Sequence, residues 1–303
     1  MQSIYAMHQN GSDNMEKEEK FLFYSIDAIQ DLYLIMLSSL IEICKKETIF
    51  LHLSSQKHLA TPEERNPNEK FIKNQIFQIL SENNSLNIAL ENRKINNWTL
   101  NDDYILLLLN DIKESKLYAK YMSDSTNSFE EDKEFIVDLF MDVIVPNEKL
   151  YEYLEDDKLT WVDDIPLVNT HIIKQLKAIK SGEDDNFRVP KLYKDNEDKD
   201  FVRDLFRKTI LNERELSKEY DDKTPNWDSE RIAEIDTIIL KMAICEFLKF
   251  PSIPVKVTLN EYLEVAKEYS TPKSSIFING ILDNLVKELQ ASKKMVKVGR
   301  GLM

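Results

Sequence analysis

Apolar residues recur at spacings of three and four along almost the whole chain, which is the pattern of amphipathic helices. Capping sequences mark several helix starts, such as Thr61-Pro62-Glu63-Glu64, which places a proline in the first turn of a capping box. The fold class expected from this pattern is all-α. The pattern predicts helices near residues 1–10, 16–47, 67–92, 101–122, 130–156, 165–180, 198–220, 229–249, 258–269 and 273–290.

Three stretches interrupt the helical pattern. Residues 181–195 are polar and acidic and contain Pro190, so we expect a linker there. The segment from Phe250 to Pro254 contains two prolines and predicts a sharp break between two helices, because proline lacks an amide donor and restricts the residue before it. Residues 291–303 are rich in lysine and arginine, and a basic, flexible tail is expected.

An internal repeat is visible, because residues 131–177 resemble residues 197–243 at a constant offset of 66 without a gap. Of the 47 aligned positions 13 are identical, and Trp161 aligns with Trp227. Chance similarity between two acidic amphipathic stretches is one interpretation, and duplication of a helical unit is the other. The ungapped run and the paired tryptophans favour duplication.

Glycine is scarce, with five among 303 residues against about 7 % in average usage. Strand-rich folds need glycine at turns and bulges, so a sheet-dominated architecture is disfavoured. P-loops and dinucleotide-binding loops need clustered glycines, and the one close pair in the sequence, Gly299 and Gly301, lies in the C-terminal tail. These phosphate- and cofactor-binding loops are therefore not expected.

The chain has 54 acidic and 40 basic residues, a formal charge of −14, which repels nucleic acid at long range. Any RNA binding would need a local basic patch or a partner. Cys44 and Cys245 are far apart and imply no disulfide framework, and with four scattered histidines they give no zinc-ligand spacing. Neither a membrane span nor a signal peptide is visible in the sequence, so a cytoplasmic location is expected.

Two places in the C-terminal third depart from the helical pattern. An apolar stripe from Ile232 to Met242 is continued by Glu246, where burial of an unpaired carboxylate would be costly. An ion pair or a hydrogen bond to a neighbouring helix is the simpler interpretation, and a general-acid role is the alternative. Asn279 and Gly280 form helices poorly, yet they lie in an apolar helix. Either Gly280 permits close helix packing or Asn279 presents its amide at a binding surface.

The motifs of this C-terminal segment resemble those of the NusB family of transcription antitermination factors. They are IDTIILKMAICEF at 235–247, IPVKVTLNEYLEVAK at 253–267 and FINGILD at 277–283, in the order and spacing of the family. The sequence MQSIYAMHQ at 1–9 is similar to the end of the family's first helix. The resemblance implies an all-α, NusB-like helical bundle with a large additional helical region.

The resemblance also divides the chain. Residues 1–12 correspond to the first helix of the NusB-like module and residues 196–290 to its RNA- and partner-binding remainder. Residues 13–195 would be a helical insertion that contains the first copy of the repeat, similar to the long NusB form of some bacteria. In the family an arginine-rich stretch that touches RNA precedes the first helix. Either this stretch lies upstream of Met1, which the mid-phase start of the helix favours, or this form lacks it.

NusB proteins pair with the ribosomal protein NusE, bind the boxA element of nascent RNA and help polymerase pass termination signals, notably in ribosomal RNA operons. The resemblance therefore implies a transcription antitermination factor that is not an enzyme and requires no cofactor. Its implied partners are boxA RNA, NusE and the RNA polymerase antitermination complex. By position, the implied RNA-binding residues are Tyr269, Lys273, Ser274 and Asn279, and the implied NusE-binding residues are Tyr5, Glu230 and Asp236.

Simpler roles exist for several of these residues. Tyr269 could close the core at a helix end, Lys273 could be a solvated lysine, and Glu230 could be a favourable charge in the first turn of its helix. Two other functions also stay open. A helical protein-binding scaffold without RNA binding agrees with the acidic charge. An RNA-binding accessory module of a ribosomal RNA methyltransferase is opposed by the lack of a glycine-rich cofactor loop or a catalytic cysteine motif.

Overall fold

The computed structural model describes residues 1–182, 187–221 and 233–302, and over these residues it is helical and contains no strand. The prediction of an all-α fold is confirmed. In the part of the chain that the structure describes, no helix is long and apolar enough to cross a membrane. The α-helices are α1 Gln2–Gln9, α2 Met15–Ser55, α3 Pro62–Arg65, α4 Gln75–Glu82, α5 Asn84–Arg93, α6 Asn97–Leu100, α7 Asp102–Glu114, α8 Lys116–Tyr121, α9 Phe129–Leu139, α10 Glu148–Asp157, α11 Ile165–Ala178, α12 Asn196–Leu211, α13 Glu213–Asp221, α14 Glu234–Lys249, α15 Val255–Tyr269 and α16 Pro272–Ala291.

The chain divides into two compact units. The terminal unit comprises Met1–Phe23 and Tyr193–Met303, and the central unit comprises Tyr24–Leu192. The sequence placed the first boundary after residue 12, but the start of α2 belongs to the terminal unit. Met15 and Leu22 of this helix start pack against the cluster of Ile4, Met7, Phe206 and Ile238, and Glu19 pairs with Arg207 of α12.

The central unit is built around α2. Its residues from Leu32 to Leu40 are all buried, as expected of a helix that is apolar on every side. Two tryptophans from distant segments fix its position. Nε1 of Trp98 donates to the carbonyl of Ile35 at 3.0 Å, and Nε1 of Trp161 donates to the carbonyl of Ala28 at 2.8 Å.

Three of the long helices predicted from sequence are interrupted in the central unit. The predicted helix 130–156 ends at Ile144 and resumes at Glu148, after the N-cap Asn147. Within the predicted helix 67–92, Asn83 is extended and its side chain accepts from the amide of Leu86, so that α4 ends and α5 begins. Within the predicted helix 101–122, Ser115 does the same for the amide of Tyr118 at the start of α8. Asparagine and serine compete with the helical backbone for hydrogen bonds, and apolar periodicity does not reveal this.

The terminal unit is built around α14, which packs against α1, α12, α13, α15 and α16. The side chains of Leu240, Ala243 and Phe247 are fully buried. Helix α1 adds Ile4 and Met7, which pack with Phe206 and Ile238.

The C-terminal tail packs against the break between α14 and α15. Met295 is buried, Nζ of Lys297 donates to the carbonyl of Phe250 at 3.0 Å, and the amide of Val298 donates to the carbonyl of Pro251 at 3.0 Å. This differs from the flexible tail expected from sequence. The physical reason is that the last carbonyls of a helix lack intrahelical donors, and here the tail supplies donors at that helix end.

Part of the segment expected to be a linker, 181–195, is also packed. Phe187 is buried in the central unit, where its carbonyl accepts from Nδ2 of Asn83 at 2.8 Å. The amide of Val189 donates to Oγ of Ser85 at 3.2 Å. One buried aromatic residue and two hydrogen bonds therefore fix this part of the segment.

The internal repeat has a counterpart in the helices. A shift of 66 residues places α9 and the π-helical turn Phe140–Ile144 on 195–210, which is close to α12. The same shift places α10 on 214–223, close to α13, and α11 on 231–244, which overlaps α14. Leu150 of the first copy and its counterpart Leu216 of the second copy are both buried, and so are Ile172 and its counterpart Ile238. Trp227 lies outside the described residues. The shared helix order supports duplication.

Candidate RNA and partner interface

The junction between α15 and α16 carries the residues that the sequence assigned to RNA. Tyr269 ends α15 and is half-buried, and Ser270 and Thr271 connect it to α16. Thr271 is the N-cap of α16, because its hydroxyl accepts from the amide of Ser274 at 3.1 Å, and Pro272 opens the helix. The local sequence therefore sets a sharp, rigid corner at this position.

The assigned RNA residues differ in accessibility. Lys273 is exposed in the first turn of α16, and Asn279 is half-buried two turns later. Ser274 is only 7 % exposed, and its hydroxyl oxygen lies 3.0 Å from Oγ1 of Thr271. Ser274 thus has a role in capping the helix, and Lys273 is the accessible polar residue of this turn.

The structure adds two residues to this face: Ile276, which sequence reasoning missed, and Gly280, which it had considered only for helix packing. Ile276 is 74 % exposed one turn after Lys273, and Gly280 follows one turn later, also exposed. A Cβ atom added at Gly280 would meet nothing within 4 Å, so the interpretation that Gly280 permits close helix packing is wrong. The glycine instead leaves the surface beside Asn279 flat. Ile276 could have been recognised because it departs from the buried stripe of Ile278 and Ile281.

The residues assigned to a protein partner are also distributed differently from what the sequence suggested. Asp236 is 1 % exposed and accepts a hydrogen bond from the hydroxyl of Ser270, so it ties the first turn of α14 to the α15–α16 junction. Its burial favours a positioning role over a direct partner contact. Tyr5 is half-buried on α1 beside Ile4 and Met7, and Glu230 lies outside the described residues.

A cluster that the sequence did not reveal lies between α1, α13 and α14. Nε2 of His8 lies 2.8 Å from Oε1 of Glu213, and Nδ1 of His8 lies 3.1 Å from Oε1 of Glu234. Gln9 donates to the other carboxylate oxygen of Glu234, and Lys241 is 3.5 Å from Glu213. The contacts of His8 and Gln9 join residues more than 200 positions apart, and they fix α1 beside the start of α14.

Glu246 is held by hydroxyl groups of α15. Oγ1 of Thr258 donates to Oε1 of Glu246 at 2.6 Å, and the hydroxyl of Tyr262 donates to Oε2 at 3.1 Å. Burial raises the pKa of this carboxyl above its usual value, although both hydrogen bonds act in the opposite direction. The structure thus agrees with the hydrogen-bonded, structural interpretation of Glu246. Within the described ranges, no group of three His, Cys, Asp or Glu side chains is placed to hold a metal ion.

Comparison with known proteins covers this same region. The NusB family model matches residues 167–287. The transcription antitermination protein NusB of Salinibacter ruber is 41 % identical over 116 residues, which are 38 % of this chain and 72 % of that protein. The chain belongs to the NusB family. The NusB proteins of Chloroherpeton thalassium and Koribacter versatilis are each 39 % identical, over 35 % and 33 % of this chain and over 50 % and 68 % of their own lengths.

The segment matched to NusB contains Asp236 and every residue of the α15–α16 junction, and it begins inside α11 of the central unit. No solved structure matches the chain. The family relationship therefore covers the candidate RNA face, and the preceding helices of the central unit lie outside the matched segment.

Proposed function

We propose that this NusB protein is a transcription antitermination factor that binds boxA RNA together with NusE and promotes transcription of ribosomal RNA operons in the cytoplasm. The observation that carries the proposal is the exposed face of α16, where Lys273, Ile276 and Gly280 follow a capped helix start within the segment matched to NusB. These residues share one face of the helix because Ile276 and Gly280 lie three and seven positions after Lys273.

The chemistry of this face suits single-stranded RNA. Lys273 stands in the first turn of α16, where a helix start attracts phosphate. Tyr269 offers a ring on which a splayed base can stack, a contact worth roughly 1–3 kcal/mol. Asn279 can donate to and accept from a base edge, and Gly280 allows a base to approach the helix closely.

The partner belongs near the start of α14. Glu213 and Glu234 present carboxylates there beside the ring of His8, and Tyr5 lies on the same short helix as His8. Negative charge suits a basic ribosomal protein. The whole chain has a formal charge of −14, which repels RNA. A cationic partner reduces this repulsion, and this favours joint recognition of RNA over binding by this chain alone.

The test is fluorescence anisotropy of labelled boxA RNA, titrated with the chain alone and with NusE, at two salt concentrations and against a scrambled RNA. NusE is expected to raise the affinity for boxA and not for the scrambled RNA. Tyr269→Ala is expected to cost about 1–3 kcal/mol, and Lys273→Ala to lower the slope of log affinity against log salt by about 1.

Lys287→Ala is the matched control, because Lys287 is an exposed lysine near the other end of α16. Equal losses for the two lysine variants would contradict the assignment of Lys273. Binding of NusE without any RNA binding would instead support the alternative of a protein-binding scaffold.

A further inference from the structure

The two copies of the repeat carry the same stripe of acidic residues around one phenylalanine. Its members are spaced so that they share one face of a helix. In α9 the stripe consists of Glu131, Glu134, Phe135 and Asp138, and in α12 it consists of Glu197, Asp200, Phe201 and Asp204. Each pair of equivalent residues differs by 66 in number, so the two stripes are related by the repeat.

In the central unit a basic, aromatic helix packs beside this stripe, and the phenylalanine of the stripe is buried. Tyr121 of α8 stacks on Phe135, with ring centroids 3.8 Å apart and an interplanar angle of 10°. Lys120, from the same helix, lines one small cavity together with Glu134 and Asp138. Burial raises the pKa of Asp138, and the positive charges of Lys177 and Lys120 act against this shift. Helix α8 therefore supplies one cation, Lys120, and one ring, Tyr121, to this stripe.

A second cation strengthens this arrangement. Nζ of the buried Lys70 lies 2.7 Å from Oε1 of Glu131 and 4.4 Å from the ring centre of Tyr121. The covered stripe is thus matched by lysines at Glu131 and near Asp138, with an aromatic ring on Phe135 between them. The central unit therefore shows that lysine and aromatic side chains fit the stripe.

In the terminal unit the equivalent stripe lines an open groove of about 910 Å³, which we call the acidic groove. Five carboxylates and two cations, Lys194 and Arg300, line it. Asp200 and Asp204 have partners on their own helix, Arg203 and Lys208. The floor is apolar, and its residues are Phe201, Phe250, Ile253, Pro254 and Val257.

The aromatic cover of the central unit has no counterpart on this groove among the described residues. Phe187 lies 66 positions after Tyr121, outside the repeat, and it is buried among the apolar residues of the central unit. Phe201 has an edge-to-face contact with Phe250, at 5.3 Å between ring centroids. Val257 is 45 % exposed, which leaves apolar surface for an added side chain.

We propose that the acidic groove binds a basic, aromatic helical segment of a partner protein, in the way that α8 covers the equivalent stripe of the central unit. Such a segment carries a Lys or Arg next to an aromatic residue, as Lys120 and Tyr121 do. The excess of carboxylates attracts these cations and repels RNA.

The acidic groove is separate from the interface proposed for RNA and NusE. Phe250 follows the C-terminal end of α14, whereas Asp236 lies in its first turn, so the two are about 20 Å apart along the helix axis. The groove therefore adds a protein-binding site to the proposed antitermination function, and its test requires neither NusE nor RNA.

The experiment uses the full chain and a fluorescein-labelled peptide with the sequence of residues 115–123, SKLYAKYMS. Anisotropy is expected to show saturable binding, and the same peptide with both lysines changed to glutamate is expected to bind at least about tenfold more weakly. In the chain, Glu197→Lys with Asp200→Lys is expected to weaken binding of the lysine peptide by about tenfold or more.

The matched control is Glu264→Lys with Glu268→Lys, which changes the net charge equally at two exposed positions of α15 outside the groove. It is expected to leave the affinity unchanged. Circular dichroism melting checks the fold of each variant. If the groove double variant does not fold, Val257→Ser replaces it in the test and is expected to weaken binding about threefold. Absence of saturation up to about 1 mM peptide, or equal losses in groove and control variants, would overturn the proposal.

Discussion

At the scale of single residues, Glu246 shows how a carboxylate is accommodated in an apolar stripe. Its two oxygens accept hydrogen bonds from uncharged hydroxyl groups, those of Thr258 and Tyr262. Lys297 contributes a favourable charge, but its Nζ lies 3.0 Å from the carbonyl of Phe250. The effect of desolvation therefore exceeds the combined effect of the two hydrogen bonds and the charge of Lys297, and the pKa of Glu246 lies above its usual value of 4.5.

This raised pKa predicts how stability depends on pH. The folded protein holds the proton of Glu246 more tightly than the unfolded chain does, so this contribution is fully present below the ordinary pKa and is lost as pH rises through the folded-state pKa. Glu246→Gln cannot ionise. The wild-type free energy of unfolding is therefore expected to decline relative to that of Glu246→Gln as pH rises, in urea titrations from about pH 4 to about pH 8. A difference that is independent of pH would contradict the raised pKa.

Asp236 shows what sequence position alone leaves open about a single residue. Its place in the first turn of α14 suits either a surface charge or a buried hydrogen-bond acceptor. The hydroxyl of Ser270, 34 residues away in sequence, donates a hydrogen bond to Asp236, so this residue is the buried acceptor. A pattern of helix caps and charges contains no information about such a distant donor.

At the scale of elements, the C-terminal tail depends on one glycine. A Cβ atom at Gly301 would lie 2.0 Å from the carbonyl oxygen of Pro251, a main-chain atom that cannot move away independently. Gly301→Ala is therefore expected to detach the tail from the end of α14 and to expose Met295, which is buried in the native structure.

Hydrogen exchange measures this effect at the amide of Val298, whose bond to Pro251 would be lost. The exchange rate is expected to increase at least about tenfold, because protection follows the free energy of local opening. Val296→Ala is the control, since Val296 is an exposed neighbour in the same tail. Unchanged protection in Gly301→Ala would show that the tail tolerates the added methyl group.

At the scale of the whole molecule, the candidate sites and the large additional helical region fall in different units. Trp161 is buried in the central unit and donates to the carbonyl of Ala28. Trp161→Phe removes this hydrogen bond and places a smaller ring in a buried position, so it is expected to lower the free energy of unfolding by about 1–3 kcal/mol. Urea denaturation followed by circular dichroism measures the loss, and Leu159→Ala, at an exposed position nearby, is the control.

The same variant tests where RNA binds. Every residue proposed to contact RNA belongs to the terminal unit, so Trp161→Phe is expected to leave the affinity for boxA RNA with NusE unchanged when the protein is folded. A lower affinity in the folded variant would show that the central unit takes part in RNA recognition.

The amino-acid sequence by itself determined the features that depend on neighbouring residues. Apolar periodicity and capping residues identified an all-α chain, and three ordered motifs identified the NusB segment, because helix formation and motif spacing are local properties. The offset of 66 likewise revealed the repeat, but it did not show that one acidic stripe is covered and the other is open.

Only the tertiary structure decided the features that depend on residues distant in sequence. It buried Asp236 under Ser270, joined His8 to Glu213 and Glu234, and exposed Ile276 on α16. It also packed a basic tail against the end of α14. Burial and hydrogen bonding at these positions depend on which helices pack together, and that outcome follows from the summed contacts of many residues, whereas periodicity reports only one helix at a time.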